Sequence, residues 1–209
     1  MVAVVPEGVA LSELRTAARE CRGCELWEPA TQTVFGAGPE TARLVFVGEQ
    51  PGDQEDQRGE PFVGPAGRLF DRALADAGID RADAYVTNTV KHFRFKATPK
   101  RRLHQSPDLV HVKACHPWLA AELALIVPEV VVCLGAVAAK ALIAPSFRIT
   151  KDRGKLLPRP ALLEEAGVAQ SWLLATTHPS AILRTPDEER PAAYDALVAD
   201  LRVAASVLA

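Results

Sequence analysis

Four short apolar runs punctuate the chain: RLVFVGE (43–49), AYVTNTV (84–90), EVVVCLG (129–135) and SWLLATTHPS (171–180). The third is unbroken in apolar character, which predicts a central strand of a parallel sheet, buried on both faces. Helical spacing fills the intervals. Residues 8–20 read as a helix leading into Cys21, and residues 65–77 place Leu69, Phe70, Ala73 and Leu74 on one face. Pro65 suits a first helical position and Gly78 a C-terminal cap. Ser106-Pro107 opens a helix that continues to about Ile126; further helices are expected near 136–143 and 187–207. The stretch EQPGDQEDQRGEPFVG (49–64) reads as a Gly/Pro-punctuated loop, and an irregular basic, Pro-containing segment precedes the fourth strand. Strands alternating with helices predict an α/β fold. One domain of residues 1–209 is expected, an α/β/α sandwich around a central, mainly parallel four-stranded sheet. Ligands in such folds bind beyond the carboxyl ends of the strands, where GEQPGD, TNTVKH and THPS fall.

Composition adds little: 48% hydrophobic and 24% charged residues are ordinary for a globular chain. The apolar runs are too short or too interrupted to span a bilayer, and the N-terminus lacks a signal-peptide pattern, so a cytoplasmic location is the expectation. Charge distribution changes the picture. The segment 91–104, KHFRFKATPKRRLH, holds six Lys/Arg and no Asp/Glu, whereas the other 195 residues hold 18 Lys/Arg against 26 Asp/Glu. Interleaved Phe93 and Phe95 favour a phosphate-binding surface over a merely solvated charge run.

Four cysteines in an intracellular chain point to metal or redox use rather than disulfides. Cys21-Arg22-Gly23-Cys24 has the spacing that offers two thiolates to one metal centre. Two more ligands must come from Cys115, Cys133, His92, His111 or His116; Cys133 lies inside an apolar strand and reads as core. Spacing leaves zinc and an iron–sulfur cluster both open. At the rim, Glu49, Asp53, Glu55 and Asp56 crowd one loop, where carboxylates can hold a water or stabilise a developing cation; a solvated acidic turn is the plain alternative. Phe62 could stack on a ligand or fill the core. Asn88 carries an amide able to donate and accept at once, as a nucleobase edge requires. His178 closes the fourth strand in HPS.

Taken in series, CRGC, GEQPGDQED, GEPFVGPAGRLFDRAL, YVTNTVKH, ACHPWL and HPSAILR resemble the family 4 uracil-DNA glycosylases, and the resemblance covers nearly the whole chain. Within that family the chain is similar to the UdgX branch at two points: His92 stands where other members carry cysteine, and KRRLH (100–104) matches the branch's inserted KRRIH loop. The resemblance implies a 4Fe-4S cluster held by Cys21, Cys24, His92 and Cys115. It also implies a DNA substrate containing uracil, gripped at its phosphates by Lys100, Arg101 and Arg102 and by Ser180 and Arg184 of HPSAILR. Phe62 would stack on the flipped base and Asn88 would pair with its edge, with Gln50 and Asp53 completing the uracil pocket. Glu49 and Asp56 would favour the cationic sugar, and His178 the charge building on a uracil oxygen. In that branch the histidine of the inserted loop, here His104, becomes joined to the abasic sugar. One DNA bound per protein, no turnover, and a monomer are therefore expected. A conventional turnover glycosylase is the nearest rival reading, and a zinc-stabilised nucleic-acid-binding module without chemistry is a more distant one. No GxGxxG or Walker-type loop supports a nucleotide-binding protein.

Overall fold

The computed structural model describes residues 3–158 and 171–208. Its centre is a sheet of four parallel strands: β1 (Leu44–Gly48), β2 (Ala84–Asn88), β5 (Val130–Leu134) and β6 (Trp172–Thr176). They lie in the order β2-β1-β5-β6. Every residue of β1, β2 and β5 is buried, because both sheet faces are covered. Side chains alternate between two cores. Val45, Val47, Tyr85, Val131, Cys133 and Leu173 face α1 (Leu11–Ala18), α4 (Leu109–Ile126) and α5 (Ala136–Leu142). Phe46, Val86, Val132, Leu134 and Leu174 face α3 (Pro65–Asp76), α7 (Pro179–Arg184) and α8 (Arg190–Ala205). The expected sandwich is thus the observed one. Among the described residues, no helix is long and apolar enough to cross a membrane.

Two elements escaped the hydrophobic pattern. The stretch 49–64 contains a short helix, α2 (Asp53–Arg58), ended by Gly59 in the left-handed conformation at φ 77°. Its residues are all polar, so no apolar period betrays it. The basic segment forms an antiparallel hairpin of β3 (Phe95–Ala97) and β4 (Arg102–His104), pairing Phe95 with His104 and Ala97 with Arg102. Its turn is closed by Thr98, whose Oγ1 donates to Arg101 O at 2.6 Å and accepts from Arg101 N at 3.1 Å. Helix α4 starts two residues later than Ser106-Pro107 implies, because Ser106 O instead accepts from Arg94 at the hairpin base. Of the irregular segment before β6, residues 159–170 lie outside the described residues, and Ile149–Asp152 forms a single turn, α6.

Chain order explains where a ligand can enter. From β1 the chain passes to β2 on one side, and β5 and β6 lie on the other, so the connections diverge at β1 and leave a crevice beyond the strand ends.

Candidate active site

All four strands deliver side chains to a cavity of about 750 Å³ at that crevice. Glu49 and Gln50 follow β1, Asn88 ends β2, Gly135 and Ala136 follow β5, and Thr177 and His178 follow β6. Phe62 and Ser106 complete the wall, His104 reaches in from the hairpin, and Ser180 and Arg184 of α7 stand at the mouth.

The wall is tightly determined. Phe62 has φ 59°, an uncommon conformation for a bulky residue, and its ring lies 6.0 Å from that of His178. Gly67 permits this: a Cβ there would fall 1.7 Å from Phe62 O. A side chain at Gly48 would likewise meet Asn88 Oδ1 at 2.4 Å and Phe62 Cζ at 2.8 Å. Gly67→Ala is therefore expected to cost about 3 kcal/mol of stability, because backbone cannot yield as a flexible side chain can. Thermal unfolding would reveal the loss; an unchanged midpoint would show that the Phe62 turn relaxes freely.

Glu55, grouped with the rim carboxylates by the sequence, shapes the cavity by bracing its loop. Glu55 Oε2 accepts from Gly52 N at 3.1 Å and its Oε1 from Gly64 N at 2.7 Å, tying the two ends of the loop together. The signal available was a buried-length spacing of carboxylate to flanking glycines, indistinguishable from the acidic turn around it.

The expected site residues separate into two sets. Glu49, Asn88, Phe62, His104 and His178 converge on the cavity. His104 Nε2 lies 3.5 Å from Glu49 Oε1, a charge contact too poorly aligned to count as a hydrogen bond, so that Glu49 oxygen is buried without a partner. Asn88 Oδ1 is the second unpartnered buried atom in the cavity wall. Unsatisfied buried acceptors are rare, and two lining one cavity mark groups held ready for a ligand. His178 Nδ1 accepts from Ser180 N at 3.1 Å, which fixes the neutral tautomer with its proton on Nε2. Burial holds its pKa down to about 4, with Arg184 and His104 acting in the same direction.

Asp53, Asp56, Gln50 and Arg102 serve the hairpin instead. Asp56 is fully buried and does not line the cavity; it accepts from Thr31 N at 3.0 Å and from Arg102 Nη1 at 2.6 Å. Asp53 also lies outside the lining, paired with Arg102 Nε at 2.5 Å. The Arg102 guanidinium packs over the rings of Phe95, at 4.9 Å, and Phe93, at 5.5 Å. The interleaved aromatics thus seat an arginine rather than a phosphate. Gln50 lines the cavity, but its amide is spent: Nε2 donates to Arg94 O and Gln105 O at 3.2 and 3.0 Å, and Oε1 accepts from Arg94 N at 3.1 Å.

Of the six cations in 91–104, three are internal. Lys91 is fully buried against Glu122, Arg94 pairs with Asp108 at 2.7 Å, and Arg102 is held as above. Lys96, Lys100 and Arg101 remain exposed at the hairpin tip, with no ion pair to another described residue.

Cys21, Cys24 and Cys115 gather on one side of the fold, near enough for Cys115 to feel both of the others and for Cys24 to feel Cys21. Among the described residues no three His, Cys, Asp or Glu side chains converge tightly enough for a single metal ion. A four-iron cluster asks for something different, one donor for each of four separate irons. The donor set suits that demand. Thr33 Oγ1 donates to Ala18 O, so it accepts from His92 Nε2 at 2.9 Å; the buried, unpartnered Nδ1 of His92 then keeps its lone pair. Burial pushes the Cys115 thiol up to about 12, so a thiolate here calls for a positive centre. Trp118 Nε1 donates to Cys21 Sγ at 3.1 Å and Lys91 N to Cys115 Sγ at 3.4 Å, the kind of contact that steadies ligating sulfurs. Cys133 is fully buried in β5, in the core as expected.

Residues 35–202 match the family model described as the uracil DNA glycosylase superfamily. The chain belongs to the uracil-DNA glycosylase superfamily. Among curated proteins it is 37% identical over 170 residues to a type-4 uracil-DNA glycosylase of Archaeoglobus fulgidus, covering 79% of each chain. Type-4 enzymes of Pyrobaculum aerophilum and Thermotoga maritima are each 35% identical, over 84% and 82% of this chain and 86% and 82% of their own.

Proposed function

We propose that the protein is a uracil-DNA glycosylase of the UdgX type, which excises uracil from DNA and then bonds the abasic sugar to His104. The observation that carries this is the placement of a half-exposed imidazole 3.5 Å from the unpartnered carboxylate oxygen of Glu49, within one cavity with Asn88, Phe62 and His178. A flipped uracil would stack on Phe62, with its polar edge on the Asn88 amide. The C1′–N1 bond breaks and its electron pair leaves with uracil. Neutral His178, with Nε2–H outward, donates to the uracil oxygen on which that charge collects. The sugar left behind is a cation at C1′, favoured by the nearby Glu49 carboxylate. A ring-nitrogen lone pair of His104 forms the new carbon–nitrogen bond. The resulting imidazolium sheds one proton to Glu49, and the uracil anion takes one from solvent. Imidazole bonded through nitrogen to the sugar has no comparable leaving group, so the protein is consumed.

Lys96, Lys100 and Arg101 at the hairpin tip, with Ser180 and Arg184 at the mouth, would meet phosphates, which position the strand without reading sequence. A 4Fe-4S cluster, held by Cys21, Cys24, Cys115 and His92, would supply cross-linking of the N-terminal turn to the hairpin base. The type-4 names of the relatives favour one rival, a conventional enzyme in which water captures the sugar and the protein turns over. Incubation with a uracil-containing oligonucleotide followed by a denaturing gel separates them. A detergent-stable shifted band at one DNA per protein supports capture; free abasic product in molar excess over protein defeats it.

His178 gives the pH dependence. Its folded pKa of about 4 lies below the ordinary 6.5, so between these values the unfolded chain binds more protons. The stability it contributes is present above 6.5 and is lost as pH falls through about 4. Protonation also places a hydrogen on Nδ1 against Ser180 N–H. The single-turnover excision rate should stay level from neutral pH downward and fall only near 4; a fall centred near 6.5 would show His178 to be charged in the folded protein.

A further inference from the structure

A second concavity is larger than the catalytic one. An open groove of about 1260 Å³ runs along the β2 edge of the sheet, beside the strand bridged by Ala37 and Val86. It is lined by five arginines, Arg15, Arg19, Arg58, Arg68 and Arg81, against two carboxylates, Glu60 and Asp71. Arg81 is balanced by Asp71 at 3.5 Å, and Arg15 donates to Gly36 O at 3.3 Å. Arg19, Arg58 and Arg68 are exposed and have no ion pair with a described residue. In a chain of net charge −2, three uncompensated guanidinium groups in one groove form an unneutralised positive field.

The groove adjoins the active site across the Phe62 wall. Phe62 lines both concavities. Thr31 lines the groove and contacts Arg102 of the hairpin at 3.2 Å. A polymer leaving the catalytic cavity past Phe62 therefore enters arginine-lined space. Arginine is the side chain suited to phosphate, presenting a planar fork of donors to paired oxygens.

We propose that Arg19, Arg58 and Arg68 form a second backbone track, holding phosphates of the DNA strand that flanks the flipped nucleotide. This rests on the glycosylase reading and extends it: the protein would grip a strand on both sides of the cavity, with the hairpin-tip cations on one and the groove on the other. Its preferred substrate is then a flexible single strand, which can bend past Phe62 into the groove.

The test compares the wild type with an Arg19→Ala/Arg58→Ala/Arg68→Ala variant, and with the corresponding triple lysine variant. Each is titrated, by fluorescence anisotropy over a range of salt, with two single-stranded oligonucleotides whose target is 2′-fluoro-deoxyuridine, which keeps its base and so forms no adduct; excision is read on the deoxyuridine versions. One just fills the cavity and the other extends about ten nucleotides to either side. The wild type should bind the extended strand at least tenfold tighter. The alanine variant should lose the groove's share of that gain and show, on the extended strand, a log–log salt slope smaller by about 2, as expected for three fewer phosphates at roughly 0.7 each. Its excision from the short oligonucleotide should be unchanged, and the lysine variant should keep the slope. Equal affinity and slope in wild type and alanine variant would overturn the track, as would an equal loss on both lengths. Failure of the glycosylase reading would show separately, as no uracil released by the wild type from either strand.

Discussion

His104→Ser should eliminate the denaturant-stable DNA adduct entirely while uracil release continues. The two steps share Glu49 but differ in their other groups: bond cleavage leans on His178, Phe62 and Asn88, whereas capture needs a nitrogen nucleophile at the sugar. Serine is smaller, and its neutral hydroxyl is a far weaker nucleophile than imidazole without a base to activate it. It leaves space beside the unpartnered Glu49 oxygen in which a water can be held and deprotonated. The variant should therefore convert a single-use protein into one that turns over, with product exceeding protein on prolonged incubation. Mass spectrometry is the decisive readout. A peptide spanning 102–106 carrying the sugar in the wild type and bare in the variant supports the assignment; an adduct that persists in His104→Ser places the nucleophile elsewhere.

The second large effect lies in the interior. Glu122 of α4 and Lys91 after β2 form a fully buried ion pair, and the carboxylate also accepts from Tyr85 Oη at 2.8 Å, Thr87 Oγ1 at 3.0 Å and Gly36 N at 3.1 Å. Lys91 Nζ in turn donates to Thr87 Oγ1 and to Asn88 O, so the pair reaches the end of the strand that presents the reading amide. Removing one partner leaves an uncompensated charge in a dry core, at a cost of about 3–5 kcal/mol. Glu122→Ala should thus lower the melting temperature by about 10 °C. Lys91→Met/Glu122→Leu should recover most of that stability, because matched apolar side chains avoid the desolvation cost. The double variant should still excise uracil more slowly, since Asn88 loses its tether. If Glu122→Ala melts with the wild type, the pair is not ionised in the folded protein.

The layout of the sheet was legible because strands buried on both faces leave long apolar runs, and those runs end where the polar motifs begin. Cys133 could be set aside on the same ground. What the sequence did not disclose was the direction in which polar side chains would be used. Lys91 and Arg102 look alike in a row of cations, yet one fills the core and the other seats the hairpin, because their partners Glu122 and Asp56 lie 31 and 46 residues away. Nothing local marks such a partner. Asp53 fell among uracil-binding expectations and Asp56 among catalytic ones for the same reason: a carboxylate that braces a loop and one that faces a substrate have the same spelling. Helix α2 was missed because a six-residue polar helix has no apolar stripe, and the hairpin because its strands are three residues long.

Arg102 and the Gln50 amide fasten the hairpin to the scaffold, and the fastening uses side chains at four scaffold positions, 31, 50, 53 and 56. The reactive arm is in this sense a detachable part. On the proposed reading, a relative that keeps those four side chains but has a plain turn between its second strand and the following helix would already own the socket, and grafting residues 95–105 onto it would test whether the hairpin alone confers capture.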